Sequence, residues 1–367
     1  MTRDRVNQLQ DDEAAITLEN VSMNFGTFTA LRPTDLKVKS GEFLTLLGPS
    51  GSGKSTLLNL IAGSLAPTTG RILLGGRDIT FAPPRERGIG MVFQNYALMP
   101  HMSVFENVAY PLRIRREPKD VIGKKVHDAL ARVGLEGFDE RKPKQMSGGQ
   151  QQRVGIARCI VYSPSIIMMD EPLGALDKNL REQMQDEIKR LHTDLGTTFI
   201  YVTHDQEEAL NMSDRICLMN VGGISQLGTP DELYFEPRNR FVAEFIGESN
   251  LISGRITGRD RFLANIGGEY AVPSREIAVG QECRLMIRPE RLMMSSPENE
   301  PAAGRNSLRG RIIDTSFIGG MTRIQVEMAD GMVVTSKAIS EHGRAGVQAG
   351  TEVLLEWDPV NSVVLTD

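Results

Sequence analysis

The chain has 367 residues, about a quarter of them charged, and a formal net charge of -5. That length allows two or three domains with cores of their own, at about 150 residues each, and the charge balance supplies no global basic field of the kind that draws nucleic acid. Cys159, Cys217 and Cys283 lie far apart without any short C-x-x-C spacing, so they read as reduced structural thiols and not as a zinc or redox site.

The first fifteen residues, "MTRDRVNQLQDDEAA", form a polar tail. They lack the apolar core of a secretory signal, and no uninterrupted apolar run in the chain approaches the ~18 residues of a membrane span. A cytoplasmic protein is expected, one that serves a membrane only by docking onto chains that cross it. From Ile16 to about Arg238 strand-like apolar runs alternate with helical ones, the pattern of an α/β domain over residues 16–238. The clearest buried strands are "EFLTLLG", "GIGMVFQ", "SIIMMDE" and "TTFIYVTH". Between the second and third lies a mostly helical insertion at about 95–163, in which "PKDVIGKKVHDALARVG" has helical spacing and a glycine stop. After "RNRFVAEFIGESN" the short alternating runs "RLMIRP", "TRIQVEM", "GMVVTS" and "EVLLEW" predict a small all-β module over 239–367, with "SSPENEPAAGRNS" as a loop inside it. Solenoid periods and coiled-coil heptads are not seen.

Several stretches carry chemistry. "GPSGSGKS" at 48–55 fits G-x-x-x-x-G-K-[ST] between a strand and a helix. In that context Gly48, Gly51 and Gly53 let the backbone curl round a β-phosphate, Lys54 reaches the β- and γ-phosphates, and Ser55 ligates Mg²⁺. "IIMMDE" ends a buried run in two carboxylates. Asp170 then sits at the carboxyl edge of the sheet, where Mg²⁺ is held through water, and Glu171 is the base or orienter for attacking water; the alternative is that the pair caps the next helix. His204 closes "TTFIYVTH" and reaches the same edge if the two strands are parallel neighbours, either as a γ-phosphate sensor or as a structural histidine. Gln94, closing "GIGMVFQ", has the same choice between Mg²⁺ or water and a structural role. "MSGGQQQR" opens a helix with a serine and two glycines, a second anion-directed element. Phe25 in "VSMNFGTFTAL" offers a ring face to a base or belongs to the core. Just after Gln94, Tyr96, Leu98, Met99 and Met102 form an apolar stretch expected to be exposed and to dock a partner.

Taken in order, "GPSGSGKST", Gln94, "MSGGQQQR", "IIMMDEPLGALD" and His204 resemble the ATP-binding subunits of ABC transporters. The resemblance implies a P-loop NTPase fold with a helical subdomain. It makes Gly48, Pro49, Ser50, Gly51, Ser52, Gly53, Lys54, Ser55 and Thr56 the ATP-binding loop, and Phe25, in preference to Phe28, the adenine-stacking aromatic. It assigns Gln94, Glu171 and His204 to catalysis, Ser55, Gln94 and Asp170 to Mg²⁺, and Asp177 to the D-loop. Ser147, Gly148, Gly149 and Gln150 become a signature acting on the ATP of a second copy in a head-to-tail homodimer, and Met146 stands where leucine is commonest in the family. The tail, through "MIRPERL", "FIGGMTRIQVEM" and "LEWDPVNSVVL", resembles the transport-associated OB modules (TOBE domains) of importer ATPases of the polyamine branch. ATP and Mg²⁺, two integral-membrane permease subunits, an external solute-binding protein and a place at the cytoplasmic face of the membrane follow as expectations, with a polyamine, ferric iron, phosphonate or another small solute as cargo. The competing classes are an ATPase acting on nucleic acid, which needs a long coiled-coil insertion, and a P-loop kinase or GTPase switch, which leaves "SGGQ" and the β module unexplained. OB folds can also bind oligonucleotides, but that binding wants aromatics interleaved with basic residues, and the β module is poor in aromatics.

Overall fold

The computed structural model describes residues 14–174, 176–274, 276–340 and 348–366; most of the expected polar tail lies outside the described residues. By contacts the chain divides into two compact units, the first ending at Pro230 and the second beginning at Asp231.

The first unit carries β1 (Ala14–Phe25), β2 (Phe28–Lys39), β3 (Phe43–Leu47), β4 (Thr69–Leu74), β5 (Arg77–Asp78), β6 (Ile89–Val92), β7 (Ile166–Asp170), β8 (Thr198–Thr203), β9 (Arg215–Asn220) and β10 (Gly223–Gly228). They form a four-stranded sheet in the order β2-β1-β4-β5 and a six-stranded sheet in the order β10-β9-β3-β8-β7-β6. Every pair in the larger sheet from β9 to β6 is parallel. Parallel strands covered on both faces need continuous apolar runs, and every residue of "FLTLL" in β3 and "TFIYVT" in β8 is buried. Their side chains alternate between two cores. Leu44, Leu46, Ile200 and Val202 face Leu57, Leu58 and Ile61 of the helix Lys54–Ala62 and the inner residues Ile16 and Leu18 of β1. Phe43, Ile167, Met169, Phe199 and Tyr201 face the other way, towards helical residues such as Val108, Leu112, Val126 and Val154.

Between β6 and β7 run the helices Val104–Ile114, Lys119–Arg132 and Gly148–Ile160, packed on one another. The first is started by a reciprocal cap, in which the Ser103 hydroxyl accepts from Glu106 N and the Glu106 carboxylate accepts from Ser103 N. The apolar stretch before it is not the exposed patch expected from sequence. Tyr96, Leu98, Met99 and Met102 are half-buried, Leu98 packs against the helical core, and the Asn107 side chain pins the segment by bonding Met99 N, Met99 O and Met102 O.

The second unit carries β11 (Asn250–Gly258), β12 (Arg261–Ala264), β13 (Glu269–Ala271), β14 (Glu282–Ile287), β15 (Met293–Ser295), β16 (Asn306–Ile318), β17 (Met321–Glu327), β18 (Val333–Ile339), β19 (Glu352–Trp357) and β20 (Ser362–Leu365). Two five-stranded antiparallel sheets, β13-β12-β11-β14-β20 and β15-β19-β16-β17-β18, enclose a core that includes Phe262, Leu285, Ile324, Leu355 and Trp357. Two sequence expectations shift. The boundary drawn between residues 238 and 239 moves back to 230/231 because buried Arg288 gathers the carbonyls of Tyr234, Ala243 and Glu248, tying the intervening segment to the β module. The loop "SSPENEPAAGRNS" is shorter than expected at both ends, since its first residue, Ser295, closes β15. Asn306 and Ser307 belong to β16, where the Asn306 amide bonds both backbone groups of Ala271.

Candidate active site

The register of the larger sheet brings the sequence motifs to one edge. Leu47 of β3 lies beside Thr203 of β8, Asp170 of β7 beside Val202, and Val92 of β6 beside Met169. The chain therefore leaves the sheet at Gly48, His204, Glu171 and the Phe93–Gln94 segment on a common carboxyl edge, where open α/β sheets bind ligands. The expectation that β7 and β8 are parallel neighbours is met.

At Gly48, Gly51 and Gly53 the backbone takes φ of 152°, 78° and 101°, a region that side chains disfavour. Two of these positions are also crowded: a Cβ on Gly48 would collide with the Met219 carbonyl oxygen, and one on Gly53 would lie 2.8 Å from Ala30 O. The helix Lys54–Ala62 starts from Gly53 without a side-chain cap, which leaves its first N–H groups to an anion. Lys54 is buried and donates from Nζ to Gly48 O (2.8 Å) and Pro49 O (3.0 Å). Burial holds its pKa below the ordinary lysine value, against the opposing charges of Glu171 and Asp170. The Ser52 hydroxyl is buried without a hydrogen-bond partner in the structure. A buried ammonium bonded only to loop carbonyls and an orphaned hydroxyl, both in one glycine-rich turn, fit a phosphate. Pro49 and Thr56 are half-buried, and Ser50 and Ser55 are exposed.

Asp170 is half-buried, and burial, reinforced by the Glu171 charge and opposed by Lys54, raises its pKa. Glu171 holds a left-handed backbone, φ 44°, with its N–H on Val202 O at 3.0 Å. That conformation is strained for a residue with a side chain. It turns the carboxylate so that Oε1 lies 3.3 Å from His204 Nδ1. The pair does not cap the next helix: Lys178–Leu195 is capped by Asp177, whose carboxylate accepts from Leu180 N. Gln94 is exposed, and its Nε2 lies 3.9 Å from where a Cβ on Gly174 would stand, so it reaches the turn that follows Glu171.

Ser147 is exposed and opens the helix Gly148–Ile160 with a reciprocal cap, its hydroxyl accepting from Gln150 N and its N–H donating to Gln150 Oε1. Gly148 is exposed and Gly149 buried beside Leu180, while Met146 packs into the helical core. An apolar, flexible methionine satisfies that position as leucine would. Phe25 and Phe28 face each other across the β1–β2 turn, 49% and 63% exposed. Both are open to a planar ligand, so the preference for Phe25 keeps its origin in the resemblance.

Three residues that the sequence did not single out sit behind this edge. Arg181 binds Leu176 O and Asp205, and buried Glu208 accepts from the Tyr201 and Thr203 hydroxyls. Arg181 and Glu208 stand four residues after Asp177 and His204, Asp205 follows His204 directly, and a charge at such spacings is too common to stand out.

No group of three or more His, Cys, Asp or Glu side chains is placed to hold a metal among the described residues. Mg²⁺ does not require one, since it keeps several waters and takes one or two carboxylates together with phosphate oxygens. Asp170, with Ser55 and Gln94, would be the residues to hold it.

Comparison with known proteins agrees with this architecture. The ABC transporter family profile matches residues 31–174 and the TOBE domain profile residues 285–365. The chain is similar to the spermidine/putrescine import ATP-binding proteins of Rubrobacter xylanophilus (43% identical, covering 96% of this chain and 93% of the relative) and Nitratidesulfovibrio vulgaris (44%, covering 98% and 99%). Among solved structures it resembles cbiO1 of Clostridium perfringens, part of the ABC transporter complex cbiONQ (TM-score 0.58, 31% identity, 61% of this chain and 92% of that one). It also resembles the dimeric ATP-binding cassette MJ0796 in a post-hydrolysis state with ADP and Pi (TM-score 0.52, 35% identity, 59% and 98%). With relatives of this identity over nearly its whole length, the chain belongs to the ABC transporter ATP-binding protein family and binds ATP on a P-loop ATPase domain followed by a TOBE domain.

Proposed function

We propose that the chain is the ATP-hydrolysing subunit of a polyamine importer, working as a homodimer on the cytoplasmic face of the membrane beneath two permease subunits fed by an external solute-binding protein. No helix among the described residues is long and apolar enough to cross a membrane, so its attachment would be through those subunits. The cargo assignment rests on the full-length relatives named for spermidine and putrescine import. An ATPase that acts on nucleic acid through a long coiled coil would carry it between β6 and β7, where the helices have 11, 14 and 13 residues.

The observation that carries the catalytic assignment is the Glu171–His204 contact at 3.3 Å, on the sheet edge that also bears the phosphate loop. In this reading the loop N–H groups, the Ser52 hydroxyl and Lys54 hold the phosphates. The Glu171 carboxylate orients the attacking water and accepts its proton, and His204 sits where it can bond the γ-phosphate and keep Glu171 aimed. Mg²⁺, held by Ser55, Gln94 and Asp170, would neutralise phosphate charge. Ser147, Gly148, Gly149 and Gln150 complete the site of the other copy, so that two ATP molecules close the dimer and their hydrolysis releases it.

Glu171→Gln keeps the shape of the side chain and removes the base. It is expected to bind ATP normally and to hydrolyse it on the order of 10²-fold more slowly or worse, the scale of general-base assistance. Equal turnover of variant and wild type would take Glu171 out of this role.

A further inference from the structure

The helix Lys178–Leu195 begins at Asp177 and the helix Gln206–Met212 begins just after His204, each capped by an aspartate, Asp177 and Asp205. Three side chains of the first helix, spaced by four residues, bind the second. Arg181 Nη1 lies 3.4 Å from Asp205 Oδ2, Gln185 Oε1 accepts from Asn211 Nδ2 at 3.0 Å, and Lys189 Nζ donates to Asn211 O at 2.7 Å. Positions i, i+4 and i+8 lie on one helix face, so this is a continuous polar seam.

Arg181 is the rung of that seam nearest the active edge, and its guanidinium points three ways. Nη2 donates to Leu176 O at 3.1 Å, the carbonyl just before Asp177. Nη1 takes the Asp205 carboxylate, which itself caps the helix after His204 by accepting from Glu207 N and Glu208 N. Nε is buried and without a hydrogen-bond partner, 3.9 Å from Oε1 of Glu208. Glu208 in turn is fixed by hydroxyls from the end of β8, Tyr201 at 2.9 Å and Thr203 at 2.7 Å. A planar fork with several donors can hold three elements at fixed angles, which a lysine ammonium cannot.

We propose that Arg181 is a positioning residue for ATP hydrolysis: by joining Leu176 O to Asp205 and Glu208 it makes Leu176 and Asp177 move as one body with the His204 turn. A displacement of either would then be carried to the other, and the aim of His204 at Glu171 would depend on Arg181 although the guanidinium touches neither. This rests on the assignment of Glu171 and His204 to catalysis made above.

A double-mutant cycle separates coupling from mere stabilisation, because residues acting through one element are non-additive while independent ones add. Arg181→Met is expected to lower kcat on the order of 10-fold, the scale of a small misplacement at a reacting centre, with the KM for ATP within about twofold. In a His204→Ala background the same change should lower kcat no further. Asp205→Asn, which keeps the helix cap but removes the charge, should reproduce part of the Arg181→Met loss, and thermal melts would establish that each variant is folded. Full additivity of the Arg181 and His204 losses, or wild-type kcat in folded Arg181→Met and Asp205→Asn, would overturn the proposal. Glu171→Gln assayed in parallel distinguishes the two readings: if it too turns over normally, the catalytic assignment has failed, whereas its loss beside an unaffected Arg181→Met sinks the coupling alone.

Discussion

In the Mg²⁺ role proposed for it, Asp170 is the residue at which function and stability pull in opposite directions. Its carboxylate must be ionised to help a cation, yet burial and the neighbouring Glu171 raise its pKa, with Lys54 only partly opposing them. A raised pKa means the folded chain holds the proton more tightly than the unfolded one, so the stability contribution is complete below the ordinary aspartate value and is lost as pH rises through the folded value. Asp170→Asn removes that cost. It should therefore melt at a higher temperature than wild type at neutral pH while losing Mg²⁺-dependent hydrolysis; a lower melting temperature would show that the Lys54 attraction outweighs burial. The mirror-image expectation is kinetic: in wild type, the Mg²⁺ concentration for half-maximal hydrolysis should rise on acidification at a pH above the ordinary aspartate range. Asp170 and Glu171 were legible because two carboxylates ending the four-residue apolar run Ile166, Ile167, Met168 and Met169 have few structural reasons to be there. Arg181 and Glu208 were not, since what distinguishes them is the company they keep across two helices.

Among elements, the helix Lys54–Ala62 shows how the phosphate loop is braced from its far end. Its last carbonyls, Leu60 O and Ile61 O, accept from Arg87 Nη1 at 2.7 and 2.8 Å, and the same guanidinium bonds Ala82 O and Thr80 O. Arg87 is almost fully buried, and all these acceptors are backbone carbonyls, so burial holds its pKa below the ordinary value. Removing the fork strands several buried acceptors, each worth about 1–3 kcal/mol when left unsatisfied. Arg87→Met should cost on the order of 3 kcal/mol of unfolding free energy in urea, and Arg87→Lys should recover little of it, because an ammonium cannot span carbonyls from two segments. Full recovery by lysine would mean that charge, and not the fork, is what matters. The strands β3, β7 and β8 and the helix Lys119–Arg132 were readable from apolar runs and from a glycine stop. The elements that moved were those set by tertiary partners: residues 231–238 join the β module, where Arg288 binds Tyr234 O, and Leu98 is drawn inward by packing that no periodicity announces.

For the whole molecule, the fold places a complete phosphate loop, Asp170, Glu171 and His204 on one sheet edge, while the side-chain bonds of Ser147 and Gln150 are to each other, at the exposed start of a helix. An anion-directed helix start that makes only local bonds is suited to a phosphate on another copy, and a solved relative of this fold is dimeric with ADP and Pi. The order of motifs made this arrangement legible in outline; the sequence could not say where Ser147 would stand. The claim that each ATP is shared between two chains is tested by mixing Lys54→Ala with Ser147→Arg, each inactive as a homodimer, and measuring single-turnover ATP hydrolysis once subunit exchange is verified. In the mixed dimer one site combines both lesions, and the other pairs an intact phosphate loop from the Ser147→Arg chain with an intact signature from the Lys54→Ala chain. Recovery of hydrolysis at one site per mixed dimer is the expected result. If exchange occurs and mixing restores nothing, Ser147 serves its own chain's nucleotide and the shared site is wrong.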